Sequence, residues 1–190
     1  MIKGDSTEYE LLESWVSGFD CQGYNTCEIG IREGMGSKII MDNVLNNYLH
    51  IGVDPYGNLS YQHYDHTGEY TCDYTDVMRD TMLNDFKPYR NAGKFSFYNL
   101  TDTLFMSHPD NQDRKFAFVH FDGPHMTRDV ITEAVWFANR SAPHTRFIFD
   151  DYPKYDMQLV SNCLKPFGFR PMQQGNNKIC LEREQNDNNI

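Results

Sequence analysis

The sequence predicts a doubly wound α/β fold: a mostly parallel sheet of seven strands, helices on both faces, and an antiparallel hairpin strand at the C-terminal end. Three observations predict it. Short apolar runs alternate with segments of helical spacing along most of the chain. The run Phe116–Phe121 is apolar at nearly every position except His120, the pattern of a strand buried on both faces. The last two strand-like runs are joined by Gly175-Asn176-Asn177, which has hairpin-turn chemistry, so the final pair reverses direction.

The elements follow in order. Residues 26–31 form a first strand that ends in a Gly-rich turn. Residues 37–45 have helical spacing, with Ile40, Val44 and Leu45 able to share a face. Residues 49–53 are the second strand, ended by Asp54-Pro55, and residues 56–72, rich in Tyr, His, Gly and Asp, read as a loop. A helix over 74–86 runs through Val77, Met78, Leu83 and Phe86. Residues 94–100 and 116–121 are the third and fourth strands, and a long helical pattern covers 126–139. The fifth strand is 147–149, followed by a helix over 155–164 with Leu159, Val160 and Cys163 inward, and by strands at 169–173 and 178–181. Right-handed crossovers place the carboxyl ends of the parallel strands along one edge, where sheets of this kind bind ligands.

Composition sets the bounds. A chain of 190 residues, 39% hydrophobic and 23% charged, is expected to be one domain over 1–190, with a core at about 24–183 and a polar tail at 184–190. The net charge of −10 and the lack of a basic run argue against a nucleic-acid partner. No apolar run approaches the ~18–20 residues that cross a bilayer, and the first residues lack a signal-like apolar region. The expectation is a cytoplasmic protein with no membrane partner; the sequence leaves a homo-oligomer open. Five cysteines without a Cys-x-x-Cys pair read as reduced, packed thiols. His63-x-x-His66 with Cys72 fits no closed zinc pattern, and Trp15 and Trp136 read as packing residues.

The residues that carry chemistry follow the strands. After the first strand the chain reads Glu28-Ile29-Gly30-Ile31-Arg32-Glu33-Gly34-Met35-Gly36-Ser37. Glycines there let backbone approach a ligand closely and turn into a helix, but the spacing is not that of the dinucleotide fingerprint. Asp54 ends the next strand, where a carboxylate can accept from both hydroxyls of a ribose. Thr101 and Asp102 follow the third strand and suit either a helix start or a cofactor wall. This acid-then-glycine pattern resembles motif I of the class I methyltransferases that use S-adenosylmethionine (SAM), on a Rossmann-like sheet. The resemblance implies that Glu28, Gly30, Glu33, Gly34, Gly36, Ser37, Asp54 and Asp102 bind SAM.

The strongest signal lies further on: Asp122-Gly123-Pro124-His125 after the fourth strand and Asp150-Asp151-Tyr152 after the fifth. Three carboxylates at adjacent strand ends crowd one another unless a cation or protons relieve them, and hard oxygen donors suit Mg²⁺ or a similar ion. His125, in the first turn of a helix, can take a proton near neutral pH. These residues resemble the macrocin O-methyltransferase group over roughly residues 24–183. Carried over, the resemblance implies that Asp122, Asp150 and Asp151 ligate Mg²⁺ and that Asp122 and His125 are catalytic, His125 as the base. The reaction it implies is methylation of a hydroxyl on a small acceptor such as a sugar or glycoside. Two other readings stand beside it: a non-catalytic SAM-binding protein, and a metal-dependent hydroxylase-like enzyme on the same fold.

Overall fold

The computed structural model describes residues 2, 4, 6–57 and 59–184; the tail expected at 184–190 therefore lies outside them beyond Glu184. The elements run α1 (Tyr9–Val16), β1 (Asn25–Ile29), α2 (Met35–Asn43), β2 (His50–Val53), β3 (Ser60–Gln62), β4 (Glu69–Thr71), α3 (Asp76–Asp85), α4 (Lys87–Asn91), β5 (Phe95–Tyr98), α5 (Asp102–Ser107), β6 (Phe116–Phe121), α6 (Thr127–Ala138), β7 (Ser141–Phe149), α7 (Met157–Leu164), β8 (Phe169–Gln174) and β9 (Ile179–Arg183). Seven strands form one sheet in the order β5-β2-β1-β6-β7-β9-β8. The first five are parallel, and β9 runs antiparallel to both β7 and β8. The doubly wound fold expected from the sequence is the fold found.

Each face of the sheet is sealed by its own helices. On one side Val119, Phe121, Phe147 and Phe149 pack under Phe137 of α6, Val160 of α7 and Phe105 of α5. On the other, Phe118, Ile148 and Cys180 pack under Leu12, Trp15 and Val16 of α1 and Ile40 of α2. Strands β1, β2 and β6 are buried at every position, as a sheet covered on both faces requires. All five cysteines are unpaired thiols. Trp15 is buried in the cluster under α1, and Trp136 packs against the cluster on the opposite face of the sheet.

The structure departs from the sequence reading at several elements, among them β7, which begins at Ser141 rather than at 147, and α4, which the reading does not anticipate. Residues 56–72 are not an irregular loop: β3 and β4 pair through Ser60↔Thr71, Tyr61↔Tyr70 and Gln62↔Glu69 to form a separate two-stranded hairpin. Helix α1, which the sequence reading does not anticipate, covers the sheet through Leu12, Trp15 and Val16. Leu45, Val77 and Leu159 are exposed rather than inward. Helix α2 ends at Asn43, two residues before Leu45, and Met157 and Leu164 take the inward places on α7.

Candidate active site

The carboxyl edge of the sheet is shaped by backbone pairing that continues past the strand ends. The Gly30 amide donates to the Val53 carbonyl (2.8 Å), Asp122 to Ile29 (2.8 Å), Asp54 to Tyr98 (3.2 Å) and Asp150 to Phe121 (3.0 Å). The residue after each strand is thereby fixed in height along one rim. A cavity of about 770 Å³ opens there, lined by Gly30, Arg32, Asp54, Thr101, Asp102, Asp122, His125, Asp150 and Asp151 among others. Its opposite wall is the hairpin, through Tyr61, Gln62, His63, Tyr64 and Tyr70.

At the first strand, Gly30 sits at φ +84°, and a Cβ there would lie 2.1 Å from the Asp122 carbonyl oxygen. Only glycine lets β1 and β6 close to this separation. Asp54 is buried; it accepts the Arg32 amide on Oδ2 and the Tyr56 amide on Oδ1, each at 2.9 Å. Burial pushes its carboxyl up from the ordinary range, against the pull of those amides. The Ile31 amide also bonds this carboxylate, so three of its roughly four acceptor positions are taken and about one is left for a ligand. Thr101 is the N-cap of α5 and, with Asp102, lines the same cavity, so these residues serve both the helix start and the wall.

Glu28, Glu33, Gly34, Gly36 and Ser37 do not line the cavity. Glu28 is buried behind it, accepting from the Ser37 hydroxyl and contacting His120 Nδ1 at 2.8 Å. Ser37 in turn meets His50 Nε2 at 2.9 Å, and His50 Nδ1 meets Thr26 Oγ1 at 2.8 Å. A Cβ on Gly36 would strike Glu28 Oε1 and crowd His120. These residues make a buried polar spine that fixes the glycine turn from below.

His125 follows Pro124 just before α6. Its ring stacks between Tyr64 (5.8 Å, 17°) and Tyr155 (5.9 Å, 19°), and its Nδ1 lies 3.3 Å from His63 Nε2. The His125 amide donates to the His63 carbonyl at 3.0 Å, which ties the hairpin to the rim. His125 Nε2 is buried without a partner among the described residues. Burial, and then the adjacent His63, lower its pKa to about 4; it is neutral at physiological pH, the state a base requires.

The three carboxylates reach the rim with different partners. Asp150 is buried: its Oδ2 accepts from the Lys178 ammonium and from Ser6 Oγ (2.6 Å), and its Oδ1 from the Asp151 amide (2.8 Å) and Asn177 Nδ2 (2.8 Å). Burial works to raise Asp150, but Lys178 chiefly, with His120 and Ser6, holds it below the usual carboxylate range. Asp122 is pushed well above that range by burial and by the neighbouring Asp150 carboxylate. Asp151, in the left-handed region at φ +52°, turns its carboxylate to Lys154 at 2.7 Å. Among the described residues, donor atoms of Glu28, His120 and Asp122 lie within 4.8 Å of one another.

Several of these groups escape the sequence reading. Lys178 sits inside an apolar strand pattern and meets its partner across 28 residues. Ser6 and Arg32 carry no motif. Tyr61 and His63 alternate in the manner of a strand, the one local signal that the hairpin offers.

Comparison with known proteins agrees with this geometry. The profile of the methyltransferase domain family matches residues 27–152. No curated protein matches the sequence. Among solved structures, the chain resembles an O-methyltransferase from Bacillus cereus in complex with SAH at 11% identity and a TM-score of 0.60, covering 97% of this chain and 84% of that one. It resembles the O-methyltransferase TomG from Streptomyces achromogenes, involved in tomaymycin synthesis and solved with SAM, at 11% identity and 0.62, covering 97% and 82%. A third, described as an rRNA methylase from Clostridium thermocellum, matches at 10% identity and 0.63, covering 96% and 98%. At such identities the likeness is one of fold, and the family match carries the assignment: the chain belongs to the methyltransferase domain family and is a SAM-dependent methyltransferase.

Proposed function

We propose that this enzyme transfers the methyl group of SAM to a hydroxyl oxygen of a small acceptor such as a sugar or glycoside, with His125 as general base. The observation that carries the reading is His125 itself. An imidazole nitrogen buried without a partner, on the wall shared by the glycine turn and the hairpin, is a costly arrangement unless a ligand supplies the missing hydrogen bond.

The rim suits the cofactor. Gly30 presents bare backbone to the cavity, where a side chain would collide with the Asp122 carbonyl, and the Asp54 carboxylate lines the same cavity as an acceptor suited to a ribose hydroxyl. When bound, SAM supplies a methyl group on a positively charged sulfur. The chain's own residues do the rest. Tyr64, Tyr155 and His63 hold the His125 ring, so that Nε2 can take the acceptor's hydroxyl proton as the oxygen–methyl bond forms and the sulfur–methyl bond breaks. The hairpin's Tyr61, Tyr64 and Tyr70 offer flat faces and hydroxyls, a surface that suits the faces and edges of a sugar ring.

The divalent ion implied by the family resemblance does not fit the side chains as they stand. Four donors occupy Asp150, and Asp151 is turned to Lys154. No step above runs through an ion.

Calorimetry with SAH tests the cofactor half, with Asp54→Ala expected to weaken binding by about tenfold or more. Failure of the native chain to bind SAH would overturn the reading. Turnover with labelled SAM against a panel of sugars and glycosides tests the acceptor half.

A further inference from the structure

We infer that Lys178 is this enzyme's built-in counter-cation, and that methyl transfer here needs no divalent metal. The inference rests on the methyltransferase reading above and concerns the carboxylate cluster of the same site.

The argument is one of donors and acceptors. A carboxylate offers about four lone-pair positions, two on each oxygen. On Asp150, Oδ2 receives Lys178 Nζ and Ser6 Oγ, while Oδ1 receives the Asp151 amide and Asn177 Nδ2. All four positions are filled by protons, which leaves none to ligate an ion. The Lys178 side chain is fully buried, its ammonium also bonded to Ser6 Oγ (2.8 Å) and lying 5.4 Å from the centre of the Tyr9 ring. An ammonium in such surroundings is stable only against a paired charge, and Asp150 supplies it.

The position is also built by backbone. Lys178 follows the Gly175-Asn176-Asn177 turn, and the amides of Asn176, Asn177 and Lys178 all donate to the Glu8 carboxylate at 2.7, 2.8 and 3.0 Å. That clamp joins the turn to the start of α1 and sets the height from which Lys178 reaches the end of β7. Of the other two acids of the cluster, Asp151 carries its own cation, Lys154, and Asp122 is side-chain hydrogen-bonded to Asp150. The nearest approach to a metal-ligand set among the described residues, Glu28, His120 and Asp122, has one Glu28 oxygen engaged by Ser37 and the other by His120.

Lys178 acts through Asp150 and so is a positioning residue. Its ammonium, with Ser6, holds the Asp150 carboxylate in one orientation at the cavity that His125 and Asp122 also line. Where the resemblance implies a divalent ion at this rim, the chain supplies a single positive charge of its own.

The test uses the native full chain with Mn²⁺ as probe, read by electron paramagnetic resonance and calorimetry in the presence of SAH. The expected result is no stoichiometric Mn²⁺ site, and SAH binding and turnover unchanged by EDTA. One bound Mn²⁺ per chain, or loss of turnover in EDTA restored by Mg²⁺, overturns the inference. Lys178→Met removes the charge at similar volume. It is expected to bind Mn²⁺ about tenfold or more tightly than the native chain, and to be stabilised by Mn²⁺ in a thermal scan where the native chain is not. A Lys178→Met chain that folds and ignores Mn²⁺ counts against the inference; if that variant does not fold, the native-chain result decides. Absence of SAH binding would instead strike at the methyltransferase reading, so the two failures are separable.

Discussion

The roles of single residues follow from what each side chain lacks. His125 lacks a partner for Nε2, and replacing it by Ala should lower turnover by ~10²–10⁴ while SAH affinity holds. A fall of only a few-fold would reduce it to a positioning role. Its pKa of about 4 fixes the pH dependence. The acidic limb of kcat/KM should lie well below the ordinary histidine value of ~6.5; a limb at 6.5 would show that the ring is not buried as described. The same depressed pKa has a stability consequence. His125 and His50, the latter lowered to about 3 by burial and then by His120, are neutral in the fold but charge readily once unfolded. Stability is therefore full above about pH 6.5 and is lost as pH falls toward 4, because the unfolded chain binds the extra protons. Urea titrations at pH 7.5 and 5 should differ by a few kcal/mol in that direction. At Gly30 the constraint is backbone: Gly30→Ala costs about 1–2 kcal/mol for the left-handed conformation alone and drives a methyl into the Asp122 carbonyl. Loss of SAH binding is the expected readout.

Among the elements, the hairpin is the part that departs furthest from a bare doubly wound sheet. Helix α6 has no side-chain cap of its own at Met126. Asp65, at the tip of the hairpin, supplies one from outside, accepting from the Thr127 amide at 3.2 and 3.3 Å and from its hydroxyl. Asp65→Ala should cost about 1 kcal/mol, the usual worth of a cap. Amide exchange should quicken together in the first turn of α6 and in β3–β4; exchange that quickens in only one of them would show that the two are not coupled. Elements of the central sheet were legible in the sequence because their apolar runs are continuous: β6 is found with the bounds the sequence predicts. The hairpin was not, since its strands are three residues long and β4 is exposed at every position, which leaves too little periodicity to stand out from a polar loop.

For the whole molecule, the fold leaves one cavity between the sheet edge and the hairpin, which the proposed reading gives to cofactor and acceptor together. Sequence placed Gly30, Asp54, Asp102, Asp122, His125, Asp150 and Asp151 after their strands, and all seven line that cavity. What it could not supply was partnership across distance. The hydrogen-bond partners of Asp150 include Lys178, Ser6 and Asn177, which come from two remote segments joined through Glu8. No local window holds them together. Breaking the buried pair by Lys178→Met should cost about 3–5 kcal/mol, because Asp150 is left charged and uncompensated. A double change, Lys178→Met with Asp150→Asn, should recover much of that loss in a denaturant titration, and equal losses in the two variants would remove the pair from the stability account.

Asp65 and the His63–His125 backbone bond fasten the hairpin to the rim, and its own ladder runs through β3 and β4 and on to the Gly57–Tyr74 bridge at its base. The central sheet owes it no strand pairing. His63, Tyr64 and Asp65 hold His125 and α6, whereas Tyr61 and Tyr70 face the cavity without either duty. Selection, or a protein engineer, could rewrite those two tyrosines to change what the proposed enzyme accepts while the three anchors stay in place.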